Sequence, residues 1–131
     1  MDIALTIGLV FVGIAALVHV YIFYLESIAW SEPKTWKAFG LRSQDEADTV
    51  KPMAYNQGYY NAFLAVGVIV GIVLITTNLA QAGIALVLFA ALSMVLAATV
   101  LITSSPKLAR AALLQGGAPL IGVLLLVVSL L

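Results

Sequence analysis

His19 and Glu26 stand seven residues apart in an otherwise apolar run, Ile3–Trp30. On a helix that interval is about two turns, so the two side chains share a face. A carboxylate can orient an imidazole, and the pair suits general acid–base work. Their backbones would be roughly 10 Å apart, leaving room for a water or a substrate between them. A second group follows: Asn56, Gln57, Tyr60 and Asn61 fall within six residues, with Gln57 and Asn61 on one face and Tyr60 beside them. Gln115 is the one amide of the last apolar run. The four amides and the Tyr60 hydroxyl both donate and accept, so these five residues suit the polar end of a bound molecule. His19 and Glu26 are thus the catalytic candidates, and Asn56, Gln57, Tyr60, Asn61 and Gln115 the ligand-binding ones.

The plainer roles are equally concrete. Glu26 could pair with Lys34, Lys37 or Arg110 at a membrane surface, and amides commonly join helices in lipid. One His and one Glu give at most two metal ligands, so no metal site is expected within one copy. With no cysteine in the chain, disulfides, thiolate sites and thiol nucleophiles are excluded. The cofactor is left unknown: no phosphate-cradling loop or other cofactor signature occurs.

The elements that must carry these residues follow from composition. The 131 residues are 63% hydrophobic and 9% charged, with a mean hydropathy of +1.14. A soluble domain of this size could not hide so much apolar surface. Four runs, Ile3–Trp30, Pro52–Thr77, Gly83–Thr103 and Lys107–Leu131, are each long enough to cross a bilayer as a helix. The expected fold is an all-α membrane protein: one domain over residues 1–131, an up-down bundle of four transmembrane helices. The first run lacks a basic leader and is too long for a signal peptide, so it reads as a retained span.

All six Lys and Arg lie in the first and third connections: Lys34, Lys37, Arg42 and Lys51, then Lys107 and Arg110. Positive residues resist translocation, which puts both connections in the cytoplasm and both termini outside. Net charge is zero and no basic stripe occurs, so nucleic acid is not an expected partner. The first connection is the long one. Ser31-Glu32-Pro33 predicts a short interfacial helix with Ser31 as cap and Gly40 as its close, and Trp30, Trp36 and Phe39 suit the headgroup layer. Ser43-Gln44-Asp45-Glu46 predicts a capping box, and Pro52 the start of the second span. In this orientation every polar candidate falls in the cytoplasmic half, while the outer half is Leu, Val, Ile, Ala and Gly. The third span offers only hydroxyls and reads as scaffold. In the fourth, Pro119 removes a helical hydrogen bond and frees the Gln115 carbonyl to face a pocket. The G-x-x-x-G pair Gly67 and Gly71 predicts close helix packing.

The order His19, Tyr24-Leu25-Glu26, Trp30, Phe39-Gly40-Leu41, Asn56-Gln57-Gly58-Tyr59-Tyr60-Asn61 and Gln115-Gly116-Gly117-Ala118-Pro119 resembles the small bacterial membrane proteins of domain-of-unknown-function family 1304. That resemblance covers nearly the whole chain. It implies a four-helix protein of the bacterial inner membrane and brings no activity with it. A looser likeness is to the membrane-associated enzymes of eicosanoid and glutathione metabolism, trimers with four helices and a long cytoplasmic first connection. Their Arg- and Glu-containing motif is replaced here by Asn and Gln, so the likeness does not extend to a glutathione site.

The leading expectation is a polar intramembrane pocket, open to the cytoplasmic side, that binds a small amphipathic or lipid-like molecule. Proton transfer or isomerisation is the chemistry these groups support. The partners expected are the bilayer, that molecule and further copies of the chain in a homo-oligomer. The alternatives are a small proton-coupled transporter or channel titrating Glu26 and His19, and an accessory subunit of a membrane complex. Transport predicts a wet path to the outer side, where polar residues are scarce. An accessory subunit predicts polar residues turned outward to a partner, whereas a pocket predicts that they converge within one copy or at a homo-oligomer interface.

Overall fold

Asp2 begins the first helix: its Oδ1 accepts the Leu5 backbone N–H at 2.6 Å, satisfying one of the donors that a helix start leaves open. In the computed structural model, which describes residues 1–131, α1 spans Ile3–Phe23. It runs straight on into a single wide π-helical turn, Tyr24–Ile28, and the Ala29 N–H reaches back five residues to the Tyr24 carbonyl at 2.9 Å. Such turns are rare and concentrate at functional sites. The short helix α2, Pro33–Ala38, has Pro in its first turn as expected. Glu32 rather than Ser31 occupies the cap position, with no side-chain cap, while Ser31 Oγ accepts from Lys51 Nζ at 3.0 Å. Gly40, at φ +84°, closes the helix in a conformation that favours glycine, and Leu41 N–H returns to the Trp36 carbonyl at 3.1 Å.

Helix α3 covers Gln44–Ile75. Half of the expected capping box is present. Ser43 Oγ accepts from Glu46 N–H at 3.1 Å, but the Glu46 carboxylate takes the N–H of Arg42, at 2.8 Å, instead of that of Ser43. The helix begins eight residues before Pro52, the expected start of the second span, and Pro52 lies inside it. The Asp48 carbonyl thereby loses its helical donor at an exposed level, where water can replace it. Trp30 and Trp36 are buried with Ala47 and Ala54 in a small core of their own, packed by Phe39, Leu41 and Val50. Their indole N–H groups donate to the Ala47 carbonyl at 2.9 Å and to Gln44 Oε1 at 3.1 Å. The expected headgroup anchors therefore face inward and fix the first connection to the start of α3.

Helix α4 is Ala80–Ser104. A short 3₁₀ turn, Pro106–Leu108, then leads into α5, Ala109–Ser129, which continues through Pro119. Four helical segments, Ile3–Ile28, Gln44–Ile75, Ala80–Ser104 and Pro106–Ser129, are long and apolar enough to cross a membrane, as a multi-pass membrane protein requires. No strand interrupts them. The α4 hydroxyls of Ser93, Thr99, Thr103 and Ser104 bond carbonyls of their own helix at 2.6–2.9 Å, as expected of a scaffold.

The helices close a ring in which α1 packs on α3 and α5, and α4 packs on α3 and α5. Small side chains at the contacts bring the backbones together. Val12, Ala15, Ala16, Ala65, Val68, Val87, Ala90, Ala91, Met94, Val123 and Leu126 form one continuous core. Gly71 and Gly83 meet where α3 crosses α4: a Cβ on Gly83 would lie 2.6 Å from the Gly71 carbonyl oxygen and 2.7 Å from the Ile75 nitrogen. Gly67 has only ordinary contact, 3.5 Å to the Ala90 Cβ, so the close approach predicted for the pair falls on Gly71 alone. Gly83→Ala must push backbone against backbone, and we expect it to destabilise the bundle by about 1–3 kcal/mol, as overpacking does. Gly13→Ala, with nothing within 4 Å, should leave the melting temperature in detergent unchanged or slightly raised.

Candidate functional site

The antiparallel ring places the π turn of α1 beside the middle of α3, and the sequence explains why the two come so close. Gly58 is buried against the turn, where a Cβ would collide with Ser27 Oγ and lie 3.1 Å from the Glu26 Cβ. Its missing side chain lets Ser27 Oγ donate to the Tyr55 carbonyl at 2.8 Å. One turn further, Asn61 Nδ2 donates to Glu26 Oε2 at 2.9 Å and also to the Gln57 carbonyl at 3.1 Å. Two consecutive residues of the turn, Glu26 and Ser27, are thus docked on α3 through Gly58 and Asn61. This dock is the centre of the candidate site.

Glu26 is only 8% exposed, and its one side-chain partner is the Asn61 amide. It does not pair with Lys34, Lys37 or Arg110. His19 is 2% exposed and makes no contact with Glu26; its Nδ1 lies 2.8 Å from the Ala15 carbonyl of its own helix. A carbonyl only accepts, so Nδ1 carries the hydrogen, and Nε2 makes no hydrogen bond. Every wholly buried side-chain nitrogen or oxygen in the protein has a hydrogen-bond partner. Glu26 Oε1 and His19 Nε2 have none, so each keeps access to solvent-sized space despite the burial of its residue.

Contacts between neighbouring helices give the levels of the remaining residues. Gly8 and Val12 on α1 face Gly122 on α5, and continuing that antiparallel register sets Gln115, half-buried, at the level of His19. Asn56, Gln57 and Tyr60 are exposed on the outside of α3, with Tyr60 at 59%. The structure therefore joins Glu26 to Asn61, sets Gln115 level with His19, and turns Asn56, Gln57 and Tyr60 outward. None of the seven residues lines the shallow groove around Gly40, Arg42 and Thr49, or the apolar groove of about 150 Å³ between α4 and α5. No group of three or more His, Asp or Glu is placed to hold a metal.

Two residues that matter to this geometry, Ser27 and Gly58, are not among the sequence candidates. A signal existed: Gly58 sits three residues before Asn61, the spacing that puts a backbone approach and an amide on one face. The surrounding surface is aromatic. All five tyrosines, Tyr21, Tyr24, Tyr55, Tyr59 and Tyr60, lie on α1, its π turn or α3. Phe23 packs edge-on against Tyr59 across the α1–α3 seam, with ring centres 5.1 Å apart, and Tyr59 continues to Tyr55 and Phe63. We expect Gly58→Ala to drive the turn off α3 and lower the melting temperature in detergent by more than Ser27→Ala does. The double variant, which lacks the colliding hydroxyl, should recover part of the loss, and strict additivity would contradict this packing.

Neither a curated protein nor a solved structure matches the chain. Residues 13–127, which hold every residue of the dock, match the family described as Protein of unknown function (DUF1304). The chain, four membrane-length helices closed around a carboxylate–amide dock, belongs to that family.

Proposed function

We propose that the dock is the polar end of a binding site for a small amphipathic or lipid-like molecule, reached from the cytoplasmic side of a bacterial inner membrane. The observation that carries this reading is the pair of uncommitted polar atoms, Glu26 Oε1 and His19 Nε2, on two otherwise buried side chains of one helix. Buried polar groups in lipid are costly and mark function more often than packing. Asn61 holds the carboxylate in place, and Gln115 lies at the right level to meet a ligand beside His19. His19 and Glu26 are the groups that would move a proton, should the bound molecule be altered. The basic connections support the orientation, with both termini outside and the first and third connections in the cytoplasm.

The exposure of Asn56, Gln57 and Tyr60 favours one addition. Amides facing lipid find partners most readily in further copies of the same chain, since each donates and accepts. We therefore place a homo-oligomer contact along the outer face of α3, adjoining the ligand site.

Native mass spectrometry of the protein in mild detergent tests the reading. A co-purifying mass is expected on the wild type, and it should be lost in both Asn61→Leu and His19→Ala. Only an empty oligomer, unchanged by either substitution, would move the polar residues to a purely assembling role.

A further inference from the structure

Resting on that reading, the chemistry around the dock narrows the ligand class. The uncommitted atoms at the dock itself are acceptors: Glu26 Oε1 and the amide oxygen of Asn61, whose nitrogen is already engaged. Pro119 has no N–H, so the Gln115 carbonyl also lacks its helical donor. No cation offsets them. All six Lys and Arg lie at or before Lys51 or at Lys107 and Arg110, and Glu26 has no charged partner. Besides Glu26, the titratable groups of these elements are His19 and Tyr21 on α1, Tyr24 on the π turn, Tyr55, Tyr59 and Tyr60 on α3 with Asp45, Glu46, Asp48 and Lys51 in its first turns, and Arg110 on α5. An ionised carboxylate without a counter-charge is expensive in a low dielectric, so either a proton or an arriving cation must offset it.

A second observation gives the rest of the molecule. The α1–α3 seam beside Glu26 is formed by Phe23, one turn before it on α1, and by Tyr59, the neighbour of Gly58 on α3. Tyr55 and Phe63 extend the wall along α3, and all of these rings but that of Phe23 are at least 37% exposed. Aromatic faces attract cations and pack flat apolar groups. The remaining surface of the spans is mostly aliphatic. A carboxylate without a counter-charge beside an aromatic wall is complementary to positive charge on a lipophilic body, and it disfavours an anion. We infer that the site takes a lipophilic organic cation, its charge held by Glu26 and its apolar body by the Phe23–Tyr59 seam.

Three probes of matched shape and different charge test this on the detergent-purified protein: tetraphenylphosphonium, tetraphenylborate and triphenylphosphine oxide. Saturable binding is expected for tetraphenylphosphonium alone, read by calorimetry or by the fluorescence of Trp30 and Trp36. Glu26→Gln keeps the shape of the side chain and should weaken that binding by about tenfold or more, the worth of one charge-assisted contact. Tyr59→Leu should weaken it less. Because a proton and the cation compete for one carboxylate, affinity should fall as pH falls in the wild type and be flat in Glu26→Gln. Elution and melting temperature identify any variant that fails to fold, and Glu26→Asp then serves as the second test, expected to weaken binding without abolishing its pH dependence. Equal binding of the oxide or the borate, indifferent to Glu26→Gln, would overturn the cation assignment while leaving an amphiphile site. No saturable binding of any probe also overturns it, and together with an empty native mass spectrum it would overturn the proposed function as well.

Discussion

A helix in lipid must keep its backbone hydrogen bonds to itself, and any side chain that breaks the apolar surface must find a partner nearby. In this protein that constraint is met at one place above all, where the π turn Tyr24–Ile28 lies against α3 at Gly58. The wide turn alters the spacing of side chains along α1 and presents Glu26 and Ser27 together to one neighbour. Gly58 supplies the room, the Tyr55 carbonyl receives Ser27, and Asn61 receives Glu26. The Phe23–Tyr59 contact and the aromatic seam follow from the same approach of the two helices. Without the glycine, none of these distances could hold.

Much of the frame was legible in the residues. Apolar runs of membrane length announce the four helices, and the observed segments differ from the expected ones chiefly at their ends. Ser43 as a cap and Gly40 at positive φ were readable because each residue type has a local reason to stand where it does. Other features were not readable. A π turn has no residue signature of its own, so the union of Glu26 with Asn61 could not be read from spacing alone. Asn56 and Tyr60 share a short polar stretch with Asn61, yet a helix turns 100° per residue and carries them to other faces, while Gln57, on the side of Asn61, stays exposed. Composition groups them and geometry divides them. Trp30 and Trp36 show the same limit: an indole suited to the membrane surface also fits a small core when Ala47 and Gln44 offer acceptors.

The division of polar residues gives the functional reading its shape. Inward are a carboxylate, an imidazole and an amide with acceptor atoms to spare; outward are amides and tyrosines that a second copy can cover. The opposite end of the bundle is bound by glycine contacts such as Gly71 with Gly83, where the backbones touch and no polar side chain intervenes. Polar side chains gathered toward one end of the bundle suit the proposed binding of a molecule already in the membrane better than passage across it.

The central claim is that Glu26 and Asn61 act as a coupled pair across α1 and α3. A double-mutant cycle on the thermal stability of the detergent-solubilised protein, using Glu26→Gln, Asn61→Leu and both together, measures it directly. A coupling between the two positions of about 0.5–3 kcal/mol is expected, the range for residues in contact. Stability losses that simply add would mean that the two side chains do not meet, and the dock would have to be abandoned.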